Sequence, residues 1–135
     1  MTVPIFSPNE KEILNVLALT SSQKYSYFVS KIADWEHVWS VGDGQNLVTT
    51  WDDEKRLSLP LWPAKAYVEL CLTDEWANFT PMQFSLEHLM TEILPDMHEA
   101  NISVALMMQP DGRKTPVYNA AALLADLKEE CQQYE

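Results

Sequence analysis

Positive charge is what this chain has least of: nine Lys and Arg face twenty Asp and Glu over 135 residues, a formal net charge of -11. Nucleic-acid binding draws on several Lys and Arg that neutralise phosphates and release counterions. Here the basic residues come in scraps such as Lys55-Arg56 and Arg113-Lys114. Direct binding to nucleic acid is therefore not expected, nor is attraction to an anionic membrane surface. Glycine is scarce too, with Gly42, Gly44 and Gly112 the whole supply. Phosphate-cradling loops need several glycines so that backbone N–H groups can approach the ligand, which excludes a P-loop or dinucleotide fingerprint. Cysteine is limited to Cys71 and Cys131, without paired spacing. That fits a reducing cytosol better than a disulfide scaffold. The N-terminus, Met1 to Phe6, has neither a basic region nor a long apolar run, so no signal peptide is read there. No segment approaches the ~20 apolar residues of a membrane span. The expectation is a cytoplasmic protein.

What is present is apolar and aromatic. A hydrophobic content of 47%, with five Trp and five Tyr, is ample for one folded core over residues 1–135. Ser7, Pro8 and Glu10 predict the start of a first helix, with Ser7 as cap and Glu10 closing a capping box. Residues 1–19 read as an N-terminal helical addition. Thr20 and Gln23 form a second capping box, and Tyr25, Phe28, Val29 and Ile32 follow at helical spacing to about Asp34. His37 to Val41, Leu47 to Trp51 and Leu57 to Leu61 read as an antiparallel meander turned by Asp43-Gly44. Pro60 and Pro63 lack ladder donors, which predicts that the third strand is an edge or is leaving the sheet.

Ala64 to Leu72 reads as a short helix. Met82 to Phe84 is a brief strand, and Ser85 caps a helix that Pro95 ends. Ile102 to Met108 is the most apolar strand, apolar on both faces and so central in the sheet. Thr115 to Tyr118 returns as an edge strand marked by Pro116, and Asn119 caps a last helix. The pattern predicts a single α+β domain, with a mainly antiparallel sheet of about five strands and helices packed on it.

No catalytic set emerges. His88 and Glu92 stand four apart with Asp96 and His98 nearby, but two polar residues at ordinary spacing describe a solvated helix face. Asp52-Asp53-Glu54 lacks the spaced ligands and glycine of a calcium loop, and reads as a charged hairpin tip. No metal or other cofactor is expected. Cys71 lies beside Leu70 and Tyr67 on an apolar face, where cysteine behaves as a small buried hydrophobe. Ser85 with His88 is better explained by capping than by a catalytic dyad. Glu36 and His37, being adjacent, cannot converge on one substrate if both lie on a strand. No catalytic residue is assigned.

The tryptophans offer more. Trp35, Trp39, Trp51, Trp62 and Trp76 cluster around the meander. Rings at element ends often form pockets or anchor partners. With acidic neighbours, Trp35, Glu36, Trp39, Trp62, Asp74, Glu75 and Trp76 make a candidate binding patch for a cationic or protein ligand. The same stretches carry a resemblance. Trp35-Glu36-His37-Val38-Trp39, then Leu59-Pro60-Leu61-Trp62-Pro63, then Ala66, Cys71 and Trp76, resemble the bacterial domain of unknown function 2750 family over roughly Ser21 to Leu127. Ser40 departs from the glycine usual at that place. The resemblance implies a small bacterial cytoplasmic α+β protein and brings no catalytic residue.

Two functions follow as expectations. One is a non-catalytic protein-binding domain, in its sharpest form an immunity or antitoxin-like inhibitor of a basic partner. The other is a small-molecule binding or sensing domain, its pocket lined by Trp39, Trp62 and Trp76. Sequence sets neither the partner nor the oligomeric state.

Overall fold

The computed structural model describes residues 6–51, 57–109 and 115–132. Helix α1 (Glu10–Leu17) starts later than its sequence signal, because Asn9 is the cap and accepts from the Glu12 N–H at 2.8 Å. Asn caps as well as Ser does, and the helix uses the one two residues later. Helix α2 (Ser21–Trp35) opens on the expected box: Thr20 Oγ1 accepts from Gln23 N–H, and Gln23 Oε1 accepts from Thr20 N–H. Its Phe28 and Ile32 are fully buried.

Six strands appear among the described residues: β1 (His37–Gly42), β2 (Thr50–Trp51), β3 (Leu57–Leu61), β4 (Thr80–Ser85), β5 (Ser103–Leu106) and β6 (Val117–Tyr118). They form a β1-β4 ribbon and a β2-β3-β5-β6 sheet. All pairings are antiparallel except that of β3 with β5. The fold is α+β with two small sheets, and a mutual bridge between Trp39 and Trp62 joins them, both bonds at 2.9 Å. The turn after β1 forms as Asp43 Oδ1 accepts from the Gln45 and Asn46 N–H groups, while Gly44 takes φ +100. Those two donors hold the Asp43 carboxyl below its ordinary pKa.

Strand β3 is central, not the edge that Pro60 and Pro63 offered as one of two readings, and near Pro60 it leaves β2 for β1. Met107 N–H bonds the Leu61 carbonyl, and Trp62 bonds β1, so alternate residues of β3 address opposite neighbours. By that alternation Pro60 faces the side where pairing changes from β2, at Ser58, to β1, at Trp62. No ladder donor is needed at the changeover, and there a proline is tolerated. The Pro60 carbonyl is taken instead by Ser40 Oγ, which donates to it at 2.6 Å in a fully buried position.

Strand β5 is central, as its two apolar faces require, and β6 is the edge beside it. Between β3 and β5 the chain runs through α3 (Lys65–Leu70), a 3-10 turn (Asp74–Trp76), β4, and a helix in three parts. Ser85 caps the first part, α4 (Leu86–His88), accepting from His88 N–H at 3.0 Å. Pro95 does not end this helix. A π-helical segment (Leu89–Ile93) intervenes, and α5 (Leu94–Glu99) begins with Pro95 in its first turn. The missing Pro95 N–H falls where the π-helical ladder gives way to the α-helical one, and at such a change of hydrogen-bond pattern a proline is accommodated within a continuing helix. Helix α6 (Ala120–Gln132) is capped by Asn119 Oδ1, which accepts from Ala121 and Ala122. Leu59, Leu61, Leu94, Leu123 and Leu127 are fully buried in the common core, each contributing about 1.5–3 kcal/mol of transfer free energy.

Candidate interaction surface

Helix α2 stops because Glu36 adopts the left-handed conformation (φ 61, ψ 28) and its N–H closes on the Ile32 carbonyl at 2.9 Å. This cap leaves Glu36 exposed and turns the chain into β1. Trp35 is half-buried, stacked on Phe6 at 5.6 Å between centroids and 29° between planes, with the His37 ring 6.5 Å away. Lys31 Nζ sits over the Phe6 and Tyr27 rings, 5.1 and 5.6 Å from their centroids. Glu36 and His37 part company here: one is an exposed cap, the other is buried. Burial lowers the pKa of His37 from its ordinary value, partly opposed by a bond to the Trp35 carbonyl. Its Nε2 and the Trp39 indole Nε1 are buried, and among the described residues neither has a hydrogen-bond partner.

The structure brings together Trp39, Trp62 and Trp76. Trp39 and Trp62 face each other across the strand bridge, and Trp76 meets Trp62 edge-on at 6.4 Å and 87°. Trp62 is fully buried and donates from Nε1 to the Met108 carbonyl at 3.0 Å; Trp39 is 8% exposed. Cys71, 7% exposed, donates its thiol to the same carbonyl at 3.3 Å. These groups build core, and among them Trp76 alone is half-exposed. Trp35 belongs to the separate cluster around Phe6, and Glu36 follows it as an exposed cap. Asp74 opens the 3-10 turn, exposed and with φ 54. The side chains of Glu75 and Trp51, and all of Asp52-Asp53-Glu54, lie outside the described residues.

Sequence reasoning missed a polar chain across three helices. Tyr27 Oη donates to Glu12 Oε2 at 2.7 Å and lies 2.9 Å from Tyr67 Oη. Each hydroxyl has one proton, so Tyr67 donates to Tyr27. Burial pushes the Tyr67 hydroxyl up to about 12, and that of Tyr27 higher still. No local spacing signals this contact, since its members come from α1, α2 and α3. A groove of about 510 Å³ also opens between Leu57, Asn101, Ser103, Tyr118 and Asn119, and its lining does not include Trp39, Trp62 or Trp76. His88 Nδ1 lies 3.3 Å from Glu92 on an exposed helix face. Among the described residues no three His, Cys, Asp or Glu are grouped to hold a metal ion, and no helix is long and apolar enough to cross a membrane.

Among the described residues, two of the five basic side chains are drawn inward. Lys24 is buried at 7% exposure with its ammonium on Gln109, and Lys31 is half-buried over its rings. Among the described residues the exposed basic side chains are Lys11, Lys65 and Lys128. The α4 to α5 stretch exposes Glu87, Glu92, Asp96 and Glu99 and contains no Lys or Arg.

A family model described as "Protein of unknown function (DUF2750)" matches residues 25–127, most of the chain, and the chain belongs to that family. Helix α1 precedes the matched range. No curated protein and no solved structure matches the chain.

Proposed function

We propose that this DUF2750 chain is a non-catalytic protein-binding domain whose acidic surface engages a basic partner, in the manner of an immunity or antitoxin-like inhibitor. The observation that supports the reading is that, among the described residues, Lys24 is buried and Lys31 half-buried while most carboxylates are exposed. A field of one sign steers an oppositely charged protein and raises its association rate. The half-exposed rings of Trp35 and Trp76, beside exposed Asp34, Glu36 and Asp74, supply anchors of the kind that interfaces favour. The alternative, a small molecule held between Trp39, Trp62 and Trp76, gains no support from rings as buried as Trp39 and Trp62.

The test is capture of partners on the immobilised chain, eluted with salt, followed by association kinetics of the recovered protein. Charge reversal at Asp34, Glu36 and Asp74 together is expected to slow association several-fold and flatten its salt dependence. Unchanged on-rates in that triple variant, or a partner that salt does not release, would refute the reading.

A further inference from the structure

Strand β4 has one edge paired with β1 and, among the described residues, no strand on the other. The bond from Leu86 N–H to the Glu36 carbonyl, and those of Trp39 with Trp62, fix the alternation along the ribbon. Thr80, Met82 and Phe84 address β1, so Pro81, Gln83 and Ser85 turn their backbone groups outward. Among the described residues no strand pairs with that side.

The outward groups form a particular set. Pro81 offers a carbonyl and has no N–H, and Gln83 offers both groups. Ser85 offers an N–H, while its carbonyl, as that of a helix N-cap, belongs to the first turn of α4. Read along the strand, the set is acceptor, donor with acceptor, donor. An antiparallel copy centred on Gln83 matches it completely. Gln83 of each copy exchanges both bonds with Gln83 of the other, and each Ser85 N–H meets the opposite Pro81 carbonyl. The donor that proline lacks falls opposite a carbonyl that the N-cap position directs into α4.

The side chains agree with the same register. Met82 would lie across from Phe84 of the second copy, and Phe84 across from Met82, in the close non-hydrogen-bonded positions. Both residues are partly exposed in the single chain, and thioether–ring contacts of this kind are favourable. Charge selects the same place. In a chain of net charge -11, residues 76–86 carry no charged side chain, so two copies can approach here without setting carboxylates face to face. Natural edges are usually guarded by charge, and this one is not.

We propose that the protein is a two-fold dimer formed by antiparallel pairing of β4 with β4 of a second copy, through Gln83. The interface is isologous and closed. It is also small, which places it among weak, concentration-dependent associations.

Sedimentation velocity across the micromolar range tests it with the wild type, Gln83→Lys, Gln83→Glu, and an equal mixture of the two variants. Like charges directly opposite weaken a strand pair, so each variant alone should dimerise about fivefold or more weakly than wild type. Gln83→Lys should do so although it lowers the net charge and with it the general repulsion. The mixture should restore a heterodimer tighter than either variant alone. A wild type that stays monomeric throughout would overturn the proposal. So would variants that dimerise as tightly as wild type, or a mixture no tighter than its parts. Melting temperatures equal to wild type show that the exposed substitutions leave the fold intact.

Discussion

Replacing Ser40 by Ala removes one oxygen from the place where β3 changes partners. Ser40 is fully buried, and its hydroxyl is 2.6 Å from the Pro60 carbonyl. That carbonyl faces the interval between Ser58, paired with β2, and Trp62, paired with β1. With the hydroxyl gone it keeps its burial and loses its donor. An ordinary lost hydrogen bond costs about 1 kcal/mol, and an acceptor left buried and unpaired costs about 1–3 kcal/mol. Alanine fills nearly the same space, so no large cavity term is added. The expected destabilisation is about 2 kcal/mol, equivalent to a fall in Tm of roughly 7 °C for a chain of this size. Urea unfolding with an unchanged m-value would assign the loss to the native state. Amide exchange at Trp39 and Trp62, whose bonds flank the site, should quicken in the same variant. Ser40→Thr, which keeps a hydroxyl, should lose less. If Ser40→Ala changed stability by under about 0.5 kcal/mol, with exchange at both amides unaltered, the hydroxyl would not be what secures the changeover.

Two further predictions concern the start of β1. Burial lowers the pKa of His37 in the folded chain, so folding favours the neutral ring. The stability this contributes is complete above the unfolded value near 6.5 and is lost as pH falls through the folded pKa. Unfolding free energies on either side of that window should drop for wild type and drop less for His37→Asn; equal slopes would refute the assignment. Glu36 holds a left-handed cap with φ 61, a conformation that costs a side-chain-bearing residue about 1 kcal/mol relative to glycine. Glu36→Gly should therefore raise stability by roughly 0.5 kcal/mol or more in thermal unfolding, and a lower Tm would show that the exposed carboxylate has a structural partner.

Much of the fold could be read along the chain, where the cause is local. The Thr20–Gln23 capping box, the Asp43-Gly44 turn and the Ser85 and Asn119 caps each depend on residues within three or four positions of one another. The two-faced apolar run around Val104 and Ala105 announced a central strand because burial on both faces needs apolar residues on both. The Trp and Leu-Pro-Leu-Trp-Pro strings, likewise, placed the chain in its family. Where the cause is distant, the same reading failed. Pro60 marks an edge only if its missing donor would have been used, and that depends on where β1 crosses β3. Pro95 ends a helix only if no π turn precedes it. Acidic and aromatic neighbours in sequence did not become neighbours in one patch: Trp39 and Trp62 went into the core, while Trp35 joined Phe6. The Tyr67–Tyr27–Glu12 chain and the open edge of β4 left no periodic trace, because each depends on partners far away in sequence, or on the lack of one. Local chemistry determined which elements form and where most of them begin. Tertiary packing alone decided which polar groups are buried, which edge is free and which rings face water, because those are properties of the neighbours a residue acquires.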